Sequence, residues 1–224
     1  MCGDSAKAED LDRLLAGAKI HLVNTDPPYN VRVEPRSNNA IVAGLSSFAL
    51  PERADQHDQQ SADLNRYPDK GRATHKKLRA KDRPLMNDFV TDEAFDQMLD
   101  AWFGNIARVL VPGGCFYIWG GYANCGNYPP VLKRHELYFA QAIIWDKQHP
   151  VLTRKDFMGA HEWCFYGWRE GAGHHFYGPN NVPDLWHVKK INPRSMIHLT
   201  EKPVELAARA ITYSSKPGDH VLDL

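Results

Sequence analysis

Four residues with chemical reach close a short apolar run: Asp26, Pro27, Pro28 and Tyr29 follow Ile20 to Thr25. Proline fixes its own φ and carries no N–H, and a residue that precedes proline is driven to extended backbone. Asp26 and Pro27 are therefore both expected to be extended, and neither proline offers a donor. What the string presents is a row of acceptors, the Asp26 carboxylate and nearby backbone carbonyls, with the Tyr29 ring beside them. An exocyclic amine such as N6 of adenine or N4 of cytosine donates two hydrogen bonds and matches that row. The same residues also suit a Pro-Pro turn that closes a buried strand and binds nothing. Taken alone, the string fits either reading.

The elements that must hold this string can be read from periodicity. Leu11, Leu14 and Leu15 mark one face of a short first helix, which Gly17 ends. Residues 20–24 read as a strand with the Pro-Pro string at its carboxyl end, where open parallel α/β sheets bind their ligands. Residues 31–90 show little periodicity and much Arg, Asn, Ser, Gln and Asp. A loop this long within one domain is a functional lid or a disordered insert, and it leaves directly after Tyr29 and Asn30. A helix is expected over about 92–110, where Phe95, Met98, Leu99, Trp102, Phe103, Ile106, Val109 and Leu110 form a wide apolar stripe. Thr91 suits its N-cap, Asp92 and Glu93 suit the positive end of its dipole, and Pro112-Gly113-Gly114 stops it. Residues 115–119 read as a buried strand whose aromatics are core. Further strands are expected near 138–145 and 163–166, joined by a polar, loop-like stretch over 146–160. Residues 167–199 read as irregular, with Trp186, His187, Lys189, Lys190 and Arg194 interleaved, a mixture that suits either a nucleic-acid surface or an ordered loop. A last helix is expected over about 201–214, capped by Thr200 and carrying Pro203 in its first turn. Residues 220–224 read as a final strand. Alternating helices and strands predict an α/β sandwich.

Composition narrows the classes. With 224 residues, 43% of them hydrophobic, the chain can bury one sizeable core, and a single domain over 1–224 is expected. No apolar run is long enough to span a bilayer, and the first residues lack the apolar stretch of a secretory signal. Cys2, Cys115, Cys125 and Cys164 show no close pairing, which fits reduced thiols in cytosol better than disulfides or zinc. Eleven histidines invite a metal reading, but none has an acid or Cys partner at ligand spacing, so no metal is expected. A net charge of zero argues against an overall basic nucleic-acid binder. The charge is unevenly spread, however. Residues 66–83 gather eight Lys and Arg, among them Lys76, Lys77, Arg79 and Lys81, against Asp69 and Asp82. Such a cluster draws a phosphate backbone, or is simply a solvated loop.

In their order along the chain, these pieces resemble the amino-group DNA methyltransferases that use S-adenosylmethionine, in the permuted arrangement with the catalytic motif first and the cofactor motif last. The matching pieces are Cys2-Gly3-Asp4-Ser5, Asp26-Pro27-Pro28-Tyr29-Asn30, Val111-Pro112-Gly113-Gly114, His161-Glu162, Thr200-Glu201-Lys202-Pro203-Val204-Glu205-Leu206 and the final Pro217-Gly218-Asp219-His220-Val221-Leu222-Asp223-Leu224. The resemblance implies a Rossmann-like α/β fold, a three-layer sandwich on a mostly parallel sheet. It also implies methyl transfer from S-adenosyl-L-methionine to a base flipped out of double-stranded DNA. By that analogy Asp26, Pro27, Pro28 and Tyr29 are catalytic, and Asp4, Ser5, Asp26, Thr200, Glu201, Lys202 and Asp223 contact the cofactor. Lys76, Lys77, Arg79, Lys81, Lys189, Lys190 and Arg194 are expected on DNA, with residues 167–199 as the target-recognition segment. His161 and Glu162 are given no role, being equally suited to holding the sheet.

An Asp at the head of the catalytic string leans towards adenine N6, a Ser being commoner among cytosine-N4 enzymes. The expected setting is restriction–modification, a phage or a mobile element, at the nucleoid in the cytoplasm. In this family a glycine-rich loop and further strand and helix follow the final acid. Here the sequence stops at Leu224, so the fold is expected to be incomplete at its C-terminus and the chain to be a fragment. The alternatives are a cytosine-N4 or RNA methyltransferase, or a catalytically incomplete DNA-binding module.

Overall fold

Within the strand that follows the long helix, side chains alternate strictly: Phe116 and Ile118 point into one core cluster and Tyr117 and Trp119 into another, all four buried. A strand covered on both faces reads as a continuous apolar run, and that is how a layered α/β sheet is built. The computed structural model describes residues 3–30, 90–121, 124–151, 157–192, 195–197 and 200–224. Along them lie α1 (Ala8–Leu15), β1 (Ile20–Thr25), α2 (Asp92–Val109), β2 (Leu110–Gly120), α3 (Tyr128–Arg134), β3 (Leu137–Val151), β4 (Gly159–Arg169), β5 (Leu185–His187), α4 (Val204–Ser214) and β6 (Val221–Leu222).

The sheet runs β5-β3-β4-β2-β1-β6. β1 is parallel to both β2 and β6, and β5 is parallel to β3. β4 pairs antiparallel with β2 and β3, so it alone runs against the rest. Helices cover both faces. Leu11 of α1, Phe95, Leu99 and Phe103 of α2, and Val131 and Leu132 of α3 pack with Val23, Phe116, Ile118 and Phe165. On the other face, Leu206 and Ala210 of α4 pack with Leu22, Tyr117, Trp119 and Cys164. The expected three-layer, mostly parallel sandwich is what forms. Among the described residues, no helix is long and apolar enough to cross a membrane.

The long helix follows its sequence closely. Thr91 Oγ1 accepts from the Ala94 N–H at 3.3 Å, Asp92 and Glu93 occupy the first turn, and Leu110 leaves with extended backbone. Several other expectations need correction. Leu14 is 49% exposed, so α1 buries a narrower stripe centred on Leu11. The stretch 146–160 is not simply a loop, since β3 runs on to Val151 and β4 starts at Gly159. Residues 167–169 still belong to β4, and β5 arises inside the segment read as irregular. α3 has no counterpart among the expected helices. The final strand spans only Val221–Leu222. Thr200 does not cap the last helix, which begins at Val204 with Pro203 in the N-cap position and no side-chain cap. The reason is local: Pro203 disfavours helical backbone at Lys202, so the chain before α4 stays outside the helix. That keeps the Lys202 side chain at the sheet's edge, beside the end of β1.

Candidate functional site

β1 ends between β2 and β6, and its last residue is fastened there. The buried Thr25 hydroxyl donates to the Leu224 carbonyl at 2.8 Å and accepts from the Leu224 N–H at 3.1 Å. Asp26 follows at the open end of the strand. The Tyr29 hydroxyl donates to Asp26 Oδ1 at 2.7 Å and lies 3.2 Å from Glu162 Oε2. The Lys202 ammonium donates to Asp26 Oδ2 at 2.5 Å and lies 3.3 Å from the same Glu162 Oε2. The other Glu162 oxygen meets the Lys147 ammonium at 2.5 Å. Two carboxylates, two ammonium groups and one phenol thus form a single cluster spanning β1, β3, β4 and the approach to α4.

The lysines are largely withdrawn from water, at 15% side-chain exposure for Lys147 and 14% for Lys202. Charges so placed are tolerated only when paired. Lys202 also rests over the rings of Tyr29, 5.0 Å from its centroid, and Trp119, at 5.7 Å, an arrangement that favours a cation. Burial raises the Tyr29 phenol well above its ordinary value, and the charges of Asp26 and Glu162 raise it further. For Glu162, burial works upward, yet Lys202 and Lys147 together hold its carboxyl below the usual glutamate range. Asp223 next to Leu224 is shifted up, first by loss of solvent and then by the Asp26 charge, against a hydrogen bond from Thr25.

The backbone of the string is held from outside. Asn124 Nδ2 donates to the Tyr29 carbonyl at 2.6 Å. Asn30 turns through left-handed backbone at φ 53°, and its Oδ1 accepts from the Val90 N–H at 2.7 Å. Asn30 and Val90, the described residues on either side of 31–89, therefore meet beside Tyr29. Gly121, just past β2, leaves room for that ring: a Cβ there would stand 3.3 Å from Tyr29 Cδ2. Beneath the prolines, Ser5, Pro27, Pro28, Trp102, Phe103 and Leu224 line a small, mostly apolar cleft. Asn105 fixes its rim by donating to the Ser5 carbonyl at 2.8 Å.

Of the residues expected in a site, Asp26, Tyr29 and Lys202 converge on one another, while Pro27, Pro28 and Ser5 line the cleft. Asp223 stands beside them. Asp4 serves its own turn, its carboxylate accepting from the Ala6 N–H at 3.0 Å. Glu201 accepts from the Ile197 N–H, and Thr200 is exposed. Lys189 is exposed beyond β5, whereas Lys190 is half-buried with its N–H on the Lys147 carbonyl. Lys76, Lys77, Arg79, Lys81 and Arg194 lie outside the described residues. Sequence reasoning missed Glu162, Lys147, Asn124 and Gly121. Only Glu162 had a signal, the His161-Glu162 pair, and strand periodicity cannot say whether such an acid faces a site. Among the described residues, no group of His, Cys, Asp and Glu is placed to hold a metal ion.

A mostly parallel sheet with helices on both faces, and an acid-Pro-Pro-Tyr string at a strand's carboxyl end, define a Rossmann-like protein of the methyltransferase class. The sequence profile of the N6/N4 DNA methylases, described as DNA methylase, matches residues 20–224, and the chain belongs to that family. It is 25% identical to the type II methyltransferase M.HinfI of Haemophilus influenzae, over 61% of this chain and 43% of that protein. It is 23% identical to the type II methyltransferase M2.MboI of Moraxella bovis, over 54% of this chain and 50% of that protein. The chain spans about half the length of the curated relatives it matches. Its fold is similar to that of the M1.HpyAVI–SAM complex, at a TM-score of 0.58 and 16% identity, covering 96% of this chain and 78% of that one. It is also similar to TTHA0409 of Thermus thermophilus, a protein assigned as a DNA modification methylase and solved with S-adenosyl-L-methionine, at a TM-score of 0.51 and 19% identity over 99% and 76%.

Proposed function

We propose that this chain carries the catalytic centre of a site-specific DNA methyltransferase, which moves a methyl group from S-adenosyl-L-methionine to N6 of adenine in double-stranded DNA. The observation that carries the reading is the Asp26-Pro27-Pro28-Tyr29 string, set at the carboxyl end of β1 with its carboxylate ringed by fixed donors. Family membership supports DNA methylation, and the two solved relatives named with this cofactor support its choice.

The residues present fit the cofactor. The cleft walled by Ser5, Trp102, Phe103 and the two prolines is apolar and aromatic, which suits a flat purine. Asp4, Ser5, Asp26, Thr200, Glu201, Lys202 and Asp223 are the residues that would hold the cofactor. The bound cofactor supplies an electrophilic methyl group on a positively charged sulfur. Everything else falls to the chain. Asp26 and the Pro27 carbonyl accept hydrogen bonds from the exocyclic amine, drawing its lone pair out of conjugation with the ring, and the proton that the methylated nitrogen sheds leaves past the partly exposed Asp26 to solvent. Tyr29 stacks on the flipped base and offsets part of an unstacking cost of a few kcal/mol. Preorganised acceptors aimed at developing positive charge supply the electrostatic part of catalysis, and orientation supplies much of the rest. No covalent enzyme intermediate is required, and Cys115 and Cys164 are buried free thiols. The Asp at the head of the string favours adenine over cytosine. Lys189 and Lys190, with Arg194 and the cluster containing Lys76, Lys77, Arg79 and Lys81, are proposed to meet the phosphate backbone.

The test is to incubate the protein with methyl-labelled S-adenosylmethionine and unmethylated DNA, and to identify the labelled nucleoside after digestion. N6-methyladenine is expected. N4-methylcytosine would overturn the choice of base, and label-free DNA would overturn the reading.

A further inference from the structure

Each oxygen of the Asp26 carboxylate already holds a donor. One of its oxygens takes the Tyr29 hydroxyl and the other the Lys202 ammonium. An incoming amino group competes with these donors for the carboxylate, and a donor drawn off it, such as the Lys202 ammonium at 14% side-chain exposure, needs another acceptor. Both donors already have one within reach. Glu162 Oε2 lies 3.2 Å from the Tyr29 hydroxyl and 3.3 Å from the Lys202 ammonium. Glu162 is rigidly presented: it sits on β4 opposite Trp145 of β3, and its second oxygen is held by Lys147 at 2.5 Å. Lys147 is itself steadied 5.2 Å from the centroid of the Trp145 ring. A small swing of Lys202 would exchange one carboxylate for the other with little change in burial.

We infer that Glu162 is a positioning residue that frees Asp26 for the substrate amine, by taking over the Lys202 ammonium and the Tyr29 hydroxyl as the base arrives. No bond is made or broken in this handover; hydrogen bonds are exchanged, and the charge of the cluster is unchanged. Glu162 never touches the base. It acts through the two groups that share Asp26, and Lys147 acts through Glu162. The groups facing Glu162 are Lys147 from β3, Lys202 from before α4, and Tyr29 and Asp26 from after β1.

The inference rests on the methyltransferase reading, and the experiment separates the two. Methyl transfer to DNA is measured for the wild type, Glu162→Gln and Lys147→Met over a range of pH, with melting temperature and S-adenosylmethionine affinity followed alongside. A neutral amide cannot receive the ammonium as a carboxylate does, since a charge-assisted bond is about twice as strong as a neutral one. Glu162→Gln should therefore lower kcat by about 30- to 100-fold while KM for DNA and the cofactor affinity stay within about threefold. Lys147→Met removes one of the two cations that hold the Glu162 carboxyl low. The acid limb of its kcat profile should move to higher pH. A kcat for Glu162→Gln equal to the wild type's would overturn the inference. So would a loss that appears only in KM or melting temperature, or an unmoved acid limb in Lys147→Met. A wild type that transfers no methyl group overturns the function proposed above instead.

Discussion

A phenol lodged between two carboxylates has a defined task at neutral pH. Tyr29 is pushed above its ordinary value by burial and by Asp26 and Glu162, so it remains a donor throughout any working range. Activity should show no descending limb from Tyr29 between about pH 7 and 10, and a limb that vanishes in Tyr29→Phe would contradict this. Tyr29→Ala removes the ring as well as the hydroxyl. It should slow transfer more on an intact duplex than on a target adenine placed in a mismatch, because stacking matters most where flipping is hard; equal losses on both substrates would count against stacking. At this scale the sequence was informative about Asp26, Pro27, Pro28 and Tyr29, whose types already specify acceptors and a ring. It singled out His161-Glu162 without a role and was silent about Lys147, because their part depends on the β3–β4 pairing that brings them to Tyr29 and Lys202. That pairing lies far from the string in sequence.

The elements show the same division. α2 was legible because its stripe, cap and stop all agree, and Phe103, Leu99 and Phe95 lie in the core as expected. α3 was not, because Pro129-Pro130 reads as a breaker, although proline is tolerated in a helix's first turn where its missing N–H has no partner to lose. β5 is invisible to periodicity because three residues carry no usable period. The polar ends of β3 and β4 read as loop because local propensity is outweighed there by cross-strand pairing, with Trp145 opposite Glu162 and Asp146 opposite His161. The hairpin depends on one glycine. A Cβ at Gly167 would stand 1.9 Å from the Tyr138 carbonyl oxygen and 2.6 Å from Phe116. Gly167→Ala should destabilise by about 3 kcal/mol or more, read as a lowered midpoint in urea. An unchanged midpoint would mean that β3 and β4 do not approach as closely as described. Phe103→Ala, in the core beneath the cleft, should cost about 3–5 kcal/mol by the same measurement.

For the molecule as a whole, zero net charge means that the proposed attraction to DNA must come from local clusters. If the basic run within residues 66–83 contacts phosphates, its deletion should flatten the dependence of DNA affinity on salt, each lost contact reducing the slope by about one unit. An unchanged slope would leave attraction to Lys189, Lys190 and other cations. The insert that carries this run leaves at Asn30 and returns at Val90, joined by a hydrogen bond beside Tyr29. The three-layer sheet and its ordered motifs were readable from sequence, since helix and strand alternate and the apolar runs are continuous. The internal pairing of the charged cluster was not.

In the proposed function the Asp26 carboxylate receives the amine that is methylated. The decisive measurement is the single-turnover rate of methyl transfer to DNA in Asp26→Asn beside the wild type. The amide keeps the shape but turns one acceptor into a donor that faces the amine's own hydrogens. The rate should fall by about a thousandfold or more. A rate within a few-fold of the wild type's would contradict the account and remove Asp26 from the chemistry.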